Sequence, residues 1–444
     1  MSVYEFIMQT KWGDLPDDVQ AMTGRCLLDL IGVGAAGATT PLSQMIRDHA
    51  ASQFGAGGAS ARMLFDGRPV SPAGAALAGG MTIDAIDAHD GYPEVKGHAG
   101  CGLFPAVMAM AEGQGVSGEE FLTTLAIGYE ISIRAGLNLH RTVSDYHTSG
   151  AWVAVGAAAM SARLLNLDEA CWRHAIGIAE YHGPRSQMMR CIDHPTMLKD
   201  GSGWGAMAGV SAAYLAADGF TGAPAITVEG ADEFADLGQR WMILEQYFKP
   251  YPVCRWAQPP TEAARQLVRD FDFASTDVTA IRVHTFHEAA RLATAAPADT
   301  EQAPYSLPFA VAAFLARGKI GVEEVGPSGL NDPEIIRLSR LFEPVEDAGF
   351  NAVFPSERWA RVELHLADGR VLISDDHIAH GNADNPLTDQ EIDDKFDAFM
   401  VSAGWADSAD QIRQAVATLD DAASIDPLID LITAGPAMRA VRTA

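Results

Sequence analysis

Along its first 255 residues the chain repeats one pattern: an apolar stretch of helical length, then a short polar or glycine-rich break. Pro16-Asp17-Asp18 opens the first long stretch, with acids where a helix N-terminus favours negative charge. That stretch runs through C-L-L-D-L-I-G-V-G-A-A-G. Pro41-Leu42-Ser43 opens a second. Residues 73–88 are nearly all small and apolar, which predicts a helix buried on most of its faces. Residues 104–112 repeat the pattern. Ser117-Gly118-Glu119-Glu120 reads as a capping box ahead of F-L-T-T-L-A-I-G-Y-E-I-S-I-R-A-G. Residues 150–165, 168–179 and 203–217 complete the series.

The pattern changes near Pro250. Residues 279–285 alternate as a strand does, and so do residues 359–366. The turn Ala367-Asp368-Gly369-Arg370 and V-L-I-S follow, a hairpin signal. Between them residues 306–315 and 332–341 are helical in pattern. Beyond Pro386 helices return at 389–401, 408–419 and 427–434, free to rejoin the first set. The sequence carries no internal repeat.

At 444 residues the chain exceeds one compact core. Its 48% hydrophobic and 20% charged content fits a packed globular protein. No apolar run reaches the roughly 18 residues of a membrane span. The N-terminal dozen lacks a basic region followed by an apolar one, so the expected location is cytoplasmic, with no membrane association. Five scattered cysteines without a C-x-x-C pair indicate neither a disulfide framework nor a zinc site. A formal charge of −27 excludes nucleic acid as a partner, because phosphate neutralisation needs a basic surface.

That charge sharpens the search for a site. An acidic protein that takes an anionic substrate must concentrate cations locally. There are only six lysines, and Lys96, Lys199 and Lys249 fall in breaks bordering apolar segments. Arg185, Arg190 and Arg255 join them as candidates.

Four polar clusters stand beside apolar helices. The first is D-A-H-D-G-Y-P-E-V-K-G-H-A-G-C-G, residues 87–102, with Asp87, Asp90, Lys96 and His98. In the second, S-D-Y-H-T-S-G, His147 precedes a helix N-terminus with Thr148 or Ser149 as a possible cap. Such an N-terminus attracts anions and favours a neutral imidazole. The third, H-P-T-M-L-K-D-G-S-G, sets Lys199 among glycines. The fourth, F-K-P-Y-P-V-C-R, holds Lys249 and Arg255 between stiffening prolines. Each has a plainer reading as a cap, a turn or a rigid linker. Asp87, His89, Asp90 and His98 also offer metal ligands, though in no recognised spacing. No dinucleotide-binding, P-loop, nucleophile-elbow or H-E-x-x-H motif occurs.

Taken in order, these segments resemble the MmgE/PrpD family, which includes 2-methylcitrate dehydratases, cis-aconitate decarboxylases and iminodisuccinate epimerase. The resemblance covers almost the whole chain. It rests on D-A-H-D-G-Y-P-E-V-K-G-H-A-G, Y-H-T-S-G, L-K-D-G-S-G-W-G-A-M-A-G, G-F-T-G-A-P, K-P-Y-P-V-C-R and Y-S-L-P-F-A-V-A-A. It implies a mainly α fold. A large all-helical domain would comprise residues 1–255 plus 386–444, and a smaller α+β domain, residues 256–385, would cover it as a lid. It further implies a homodimer with neither metal nor organic cofactor, acting on a small anionic carboxylic acid.

Family chemistry begins at a carbon next to a carboxylate. The leading expectation is a cofactor-independent lyase, foremost a dehydratase of the 2-methylcitrate dehydratase type. Epimerisation of a dicarboxylic acid and decarboxylation of the cis-aconitate type are the alternatives, with a non-catalytic binding protein as another class. Carried over by position, Asp87, His98, His147 and Lys249 are catalytic candidates, and Lys199, three residues after the position of a lysine in the decarboxylases, joins them as a clamp for substrate carboxylates. Asp90, Lys96, Tyr146, Tyr251, Arg255 and Tyr305 are the substrate contacts. An active-site tyrosine of the decarboxylases falls at Phe309, where Tyr305 or Tyr251 is the substitute.

Overall fold

The computed structural model describes residues 1–434. Its first part is a succession of helices: Asp17–Gly37, Pro41–Gln53, Pro72–Asp84, Gly100–Ala111, Gly118–Thr142, Gly150–Leu164, Glu169–His182 and Ser202–Ala217. Their starts are set by side chains that satisfy orphan backbone donors. Thr40, Ser71, Ser117 and Asp168 each accept a hydrogen bond from the N–H three residues on. Small residues let these helices approach closely. A Cβ on Gly80 would lie 2.5 Å from Gly203 Cα, so helices Pro72–Asp84 and Ser202–Ala217 touch backbone to backbone. That contact sets the loop after the first beside the loop before the second.

Asp389–Ser402 and Ala406–Ala417 pack against Asp17–Gly37. One apolar core accordingly takes residues from Phe6 to Phe248 and again from Leu387 to Ala434. A second core takes Met188, Cys191 and Ile192 together with residues between Val253 and Leu372. The segment around Cys191 thus leaves the helical body to join the smaller one.

The smaller body is built on a sheet with strand order Phe342–Glu346, Val278–Thr285, Ala360–Leu366, Val371–Ile373. The first pair is parallel and the other two antiparallel. Alternate residues of the two central strands are buried, including Ile281, Val283, Val362 and Leu364. Helices Gln258–Asp270 and Leu307–Arg317 supply the rest of this core.

Helix and sheet content agree with a mainly α chain. Three details differ from the sequence expectation. The helix read over 73–88 ends at Asp84, where the chain enters the loop that carries Asp87. Gln258–Asp270 is a helix despite Pro259 and Pro260, because prolines in the first turn remove only donors that had no helical partner. The edge strand Phe342–Glu346 is mostly exposed and contains Pro344, so it has no alternating apolar signature. Among the described residues no single helix is long and apolar enough to cross a membrane.

Candidate active site

The two adjoining loops meet the smaller body around a narrow cavity of about 30 Å³. Asp87, Lys96, His98, Asp200, Tyr305 and Arg358 line it, with Arg255 and Tyr247 on one side. The loop after Pro72–Asp84 can turn this tightly because Gly91 has no side chain. A Cβ there would lie 2.5 Å from the Tyr247 hydroxyl and 2.7 Å from His98 Nδ1.

His98 is fixed from three directions. Its backbone N–H donates to Ser149 Oγ at 2.9 Å. Its Nδ1 lies 2.5 Å from the Asp90 carbonyl oxygen. A carbonyl only accepts, so Nδ1 carries the proton and Nε2 keeps its lone pair. Nε2 stands 3.8 Å from Asp87 Oδ1 and 3.9 Å from Asp200 Oδ2. Burial, and then the Lys249 charge, holds this imidazole well below its ordinary value. It is therefore a neutral base between two carboxylates.

Those carboxylates differ. Asp87 receives Lys249 Nζ at 2.5 Å on Oδ1 and 2.9 Å on its own carbonyl oxygen. Burial alone would lower the Lys249 ammonium, but Asp87 raises it. Asp200 accepts from the Ser149 hydroxyl at 2.7 Å and is pushed up to about 6 by burial. Behind it Asp84 accepts from the Asp200 N–H at 3.2 Å, and burial raises Asp84 well above the carboxylate range, with Asp200 and Asp87 adding. His89 sits beside Asp84, fully buried, and burial holds its imidazole well below its ordinary value. Asp87, His89 and His98 bring one donor atom each within 4.8 Å of one another. The Lys249 ammonium already occupies Asp87 there, so a metal ion would meet a fixed like charge.

The cations divide in the same way. Lys96 Nζ donates to the Glu94 carbonyl at 3.0 Å and stands 3.6 Å above the Tyr146 ring. Burial, with Arg358 adding, pushes it down to about 8. Lys199 is buried with Nζ 3.0 Å from Glu301 Oε2 and 5.3 Å from the centre of the Tyr305 ring. Arg255 borders the cavity, but its donors go to the Phe248 and His380 carbonyls, Gln258 and Asn382. Arg358 is freer. Its Nη2 donates to the Pro93 carbonyl at 2.5 Å, and its buried Nε has no partner among the described residues.

Several expected contacts lie elsewhere. The Asp90 carboxylate turns away from the cavity to accept from the Tyr129 hydroxyl at 2.5 Å and Gln246 at 3.2 Å. Only its carbonyl serves the site, by orienting His98. His147 is half-buried beside His140, to whose Nε2 its N–H donates at 3.1 Å, and it does not line the cavity. Its imidazole is lowered by burial and by Arg185. Ser149 holds the N-cap position of Gly150–Leu164 but makes no side-chain cap bond; its hydroxyl instead bridges His98 and Asp200. Tyr146 lies under Lys96, outside the cavity, and Tyr251 packs against Phe314. Phe309 is buried in the smaller core, so of the two substitute tyrosines Tyr305 is the one at the cavity.

Sequence reasoning passed over Asp200, Ser149 and Arg358. Asp200 had a signal, since it follows Lys199 directly in a glycine-rich loop. Arg358 had none, because S-E-R-W carries no motif and reaches the site only through the folding of the smaller body.

The model of the MmgE/PrpD N-terminal domain matches residues 2–239, and that of the C-terminal domain matches residues 251–421. Cis-aconitate decarboxylase-like protein oryM of Aspergillus oryzae is 23% identical over 96% of this chain and 96% of its own length. Cis-aconitate decarboxylase of Homo sapiens is 23% identical over 95% of this chain and 92% of its own. The Mus musculus enzyme of the same name is 21% identical over 97% and 92%.

Proposed function

The chain belongs to the MmgE/PrpD family, and from that premise we propose a lyase that acts beside a carboxylate of a small di- or tricarboxylic acid, foremost as a dehydratase. The observation that carries this reading is the His98 imidazole, with Nδ1–H spent on the Asp90 carbonyl and a neutral Nε2 facing the cavity. A proton next to a carboxylate is weakly acidic. Its removal needs a base and a cation beside the oxygens where charge develops.

In the proposed step Lys96 and Arg358 hold the substrate carboxylate. His98 Nε2 takes the adjacent proton, and the negative charge flows onto the carboxylate oxygens facing those cations. The imidazolium formed lies between Asp87 and Asp200. Asp200, raised by burial, relays the proton from this imidazolium to the departing hydroxyl, so that water leaves as the double bond forms. The Tyr305 hydroxyl is the further donor at the cavity.

A second reading is loss of CO2, favoured by the names of the relatives. A mass-spectrometric screen of hydroxylated and unsaturated di- and tricarboxylic acids in D2O tests both. Dehydration removes 18 mass units and decarboxylation 44. Deuterium uptake without either loss marks an isomerase. No conversion and no exchange across the panel, by protein that is folded, would overturn the enzymatic reading.

A further inference from the structure

A second pocket, of about 440 Å³, opens on the outer side of the segment whose inner side walls the catalytic cavity. Cys191 borders both. Gln187, Arg190, His194, Thr196 and Trp204 contribute to its lining. Four other cavities each have at least two carboxylates in their walls. This one has none. In a chain with 58 acidic and 31 basic side chains, that is the informative feature.

The reason is visible in the neighbouring contacts. Of the two acids in this stretch, Asp200 lines the catalytic cavity, and Asp193 is drawn away by Arg291, whose Nε lies 3.0 Å from its Oδ1. Asp145 accepts from Gln187 Nε2 at 3.0 Å. Lys199 also lies in the wall of this pocket, but its ammonium is paired with Glu301. The Arg190 guanidinium is left as the cation of this pocket without a carboxylate partner among the described residues, with His194 on the same short segment. Trp204, 39% exposed, supplies an aromatic surface.

We infer that this pocket is a binding site for a small organic carboxylate, with its charge on Arg190 and its apolar body against Trp204. The volume suits such a ligand, and a guanidinium matches a carboxylate in geometry as well as charge. Met188, Cys191, Ile192 and Asp200 of the same stretch line the catalytic cavity, so occupancy outside bears on the wall inside. The site is thus placed to act as an effector site, and the binding itself does not rest on the reaction proposed above.

Calorimetry with phenylsuccinate and with its uncharged diamide tests this. The expected result is one equivalent of phenylsuccinate per chain and no binding of the diamide. Arg190→Ala should weaken binding by about tenfold or more, Trp204→Ala should weaken it, and Trp204→Phe should retain it. Both positions reach the surface, and thermal unfolding of each variant checks that it is folded. His98→Ala should leave binding unchanged. Equal binding of the diamide, an unchanged affinity in Arg190→Ala, or loss of binding in His98→Ala would each overturn the inference; the last would put the anion in the catalytic cavity.

Discussion

His98 and Lys96 titrate in opposite senses of use, and their environments set the two ends of a pH profile. His98 must be neutral to accept a proton. Burial and Lys249 hold it well below 6.5, so the base survives as pH falls through that value. Lys96 must be charged to hold a carboxylate, and burial has pushed it down to about 8, so its charge is lost as pH rises through that point. Because kcat/KM reports the free enzyme, its acid limb should lie below 6.5 and its basic limb near 8. Lys96→Arg should move the basic limb upward, since a guanidinium stays charged there. A basic limb that ignores this variant would remove Lys96 from substrate binding. The sequence shows that both residues belong to one loop. It does not show that Asp90, two places before Tyr92 in that loop, faces the opposite way, since direction inside a glycine-rich turn depends on the hydroxyl and amide waiting in the core.

At the scale of the element, the site loops are marked by backbone that ordinary residues avoid. Asp87, Lys96 and Lys199 have φ of 51°, 51° and 47°, in the left-handed region that costs an L-residue roughly 1–2 kcal/mol. The surrounding packing holds them there, as strain at sites generally requires. Lys96→Gly and Lys96→Ala remove the same ammonium, but only glycine relieves the backbone. The glycine variant should therefore be the more stable by about 1 kcal/mol in denaturant unfolding, at equal loss of activity. Equal stabilities would mean the loop relaxes out of this conformation. The helices themselves were legible from their apolar runs, and at Ser117 from a cap that stands in the sequence as in the fold. The loop conformation was not, since nothing in the letters of Asp87 or Lys96 announces a positive φ. The polar edge strand at Phe342–Glu346 escaped for the complementary reason, being formed by pairing with Val278–Thr285 rather than by its own pattern.

Over the whole molecule, the cavity is a seam between two bodies. At about 30 Å³ it has room for water but not for a ligand of the usual pocket size. On the proposed function, substrate entry is expected to move the smaller body or the Cys191 segment outward. Arg358 spans the seam, donating to the Pro93 carbonyl of the opposite loop. Arg358→Lys keeps the charge and loses the fork. It should raise KM by about tenfold while kcat stays within about threefold, which separates a carboxylate clamp from a group acting on the chemical step. A fall in kcat at constant KM would contradict that role.

The buried pair formed by Asp29 and Lys395 has one more effect. Lys395 Nζ lies 2.6 Å from Asp29 Oδ1 and 2.7 Å from the carbonyl of Ala88, next to Asp87. During synthesis, Asp29 leaves the ribosome long before its partner exists, and a lone buried carboxylate is not tolerated. Every group that touches the cavity has been made by Arg358, yet the strut beneath the catalytic loop has not. A nascent chain halted after Pro386 would hold every side chain that lines the cavity but lack the strut beneath this loop, so the site is not fully supported until the helix that carries Lys395 has been made.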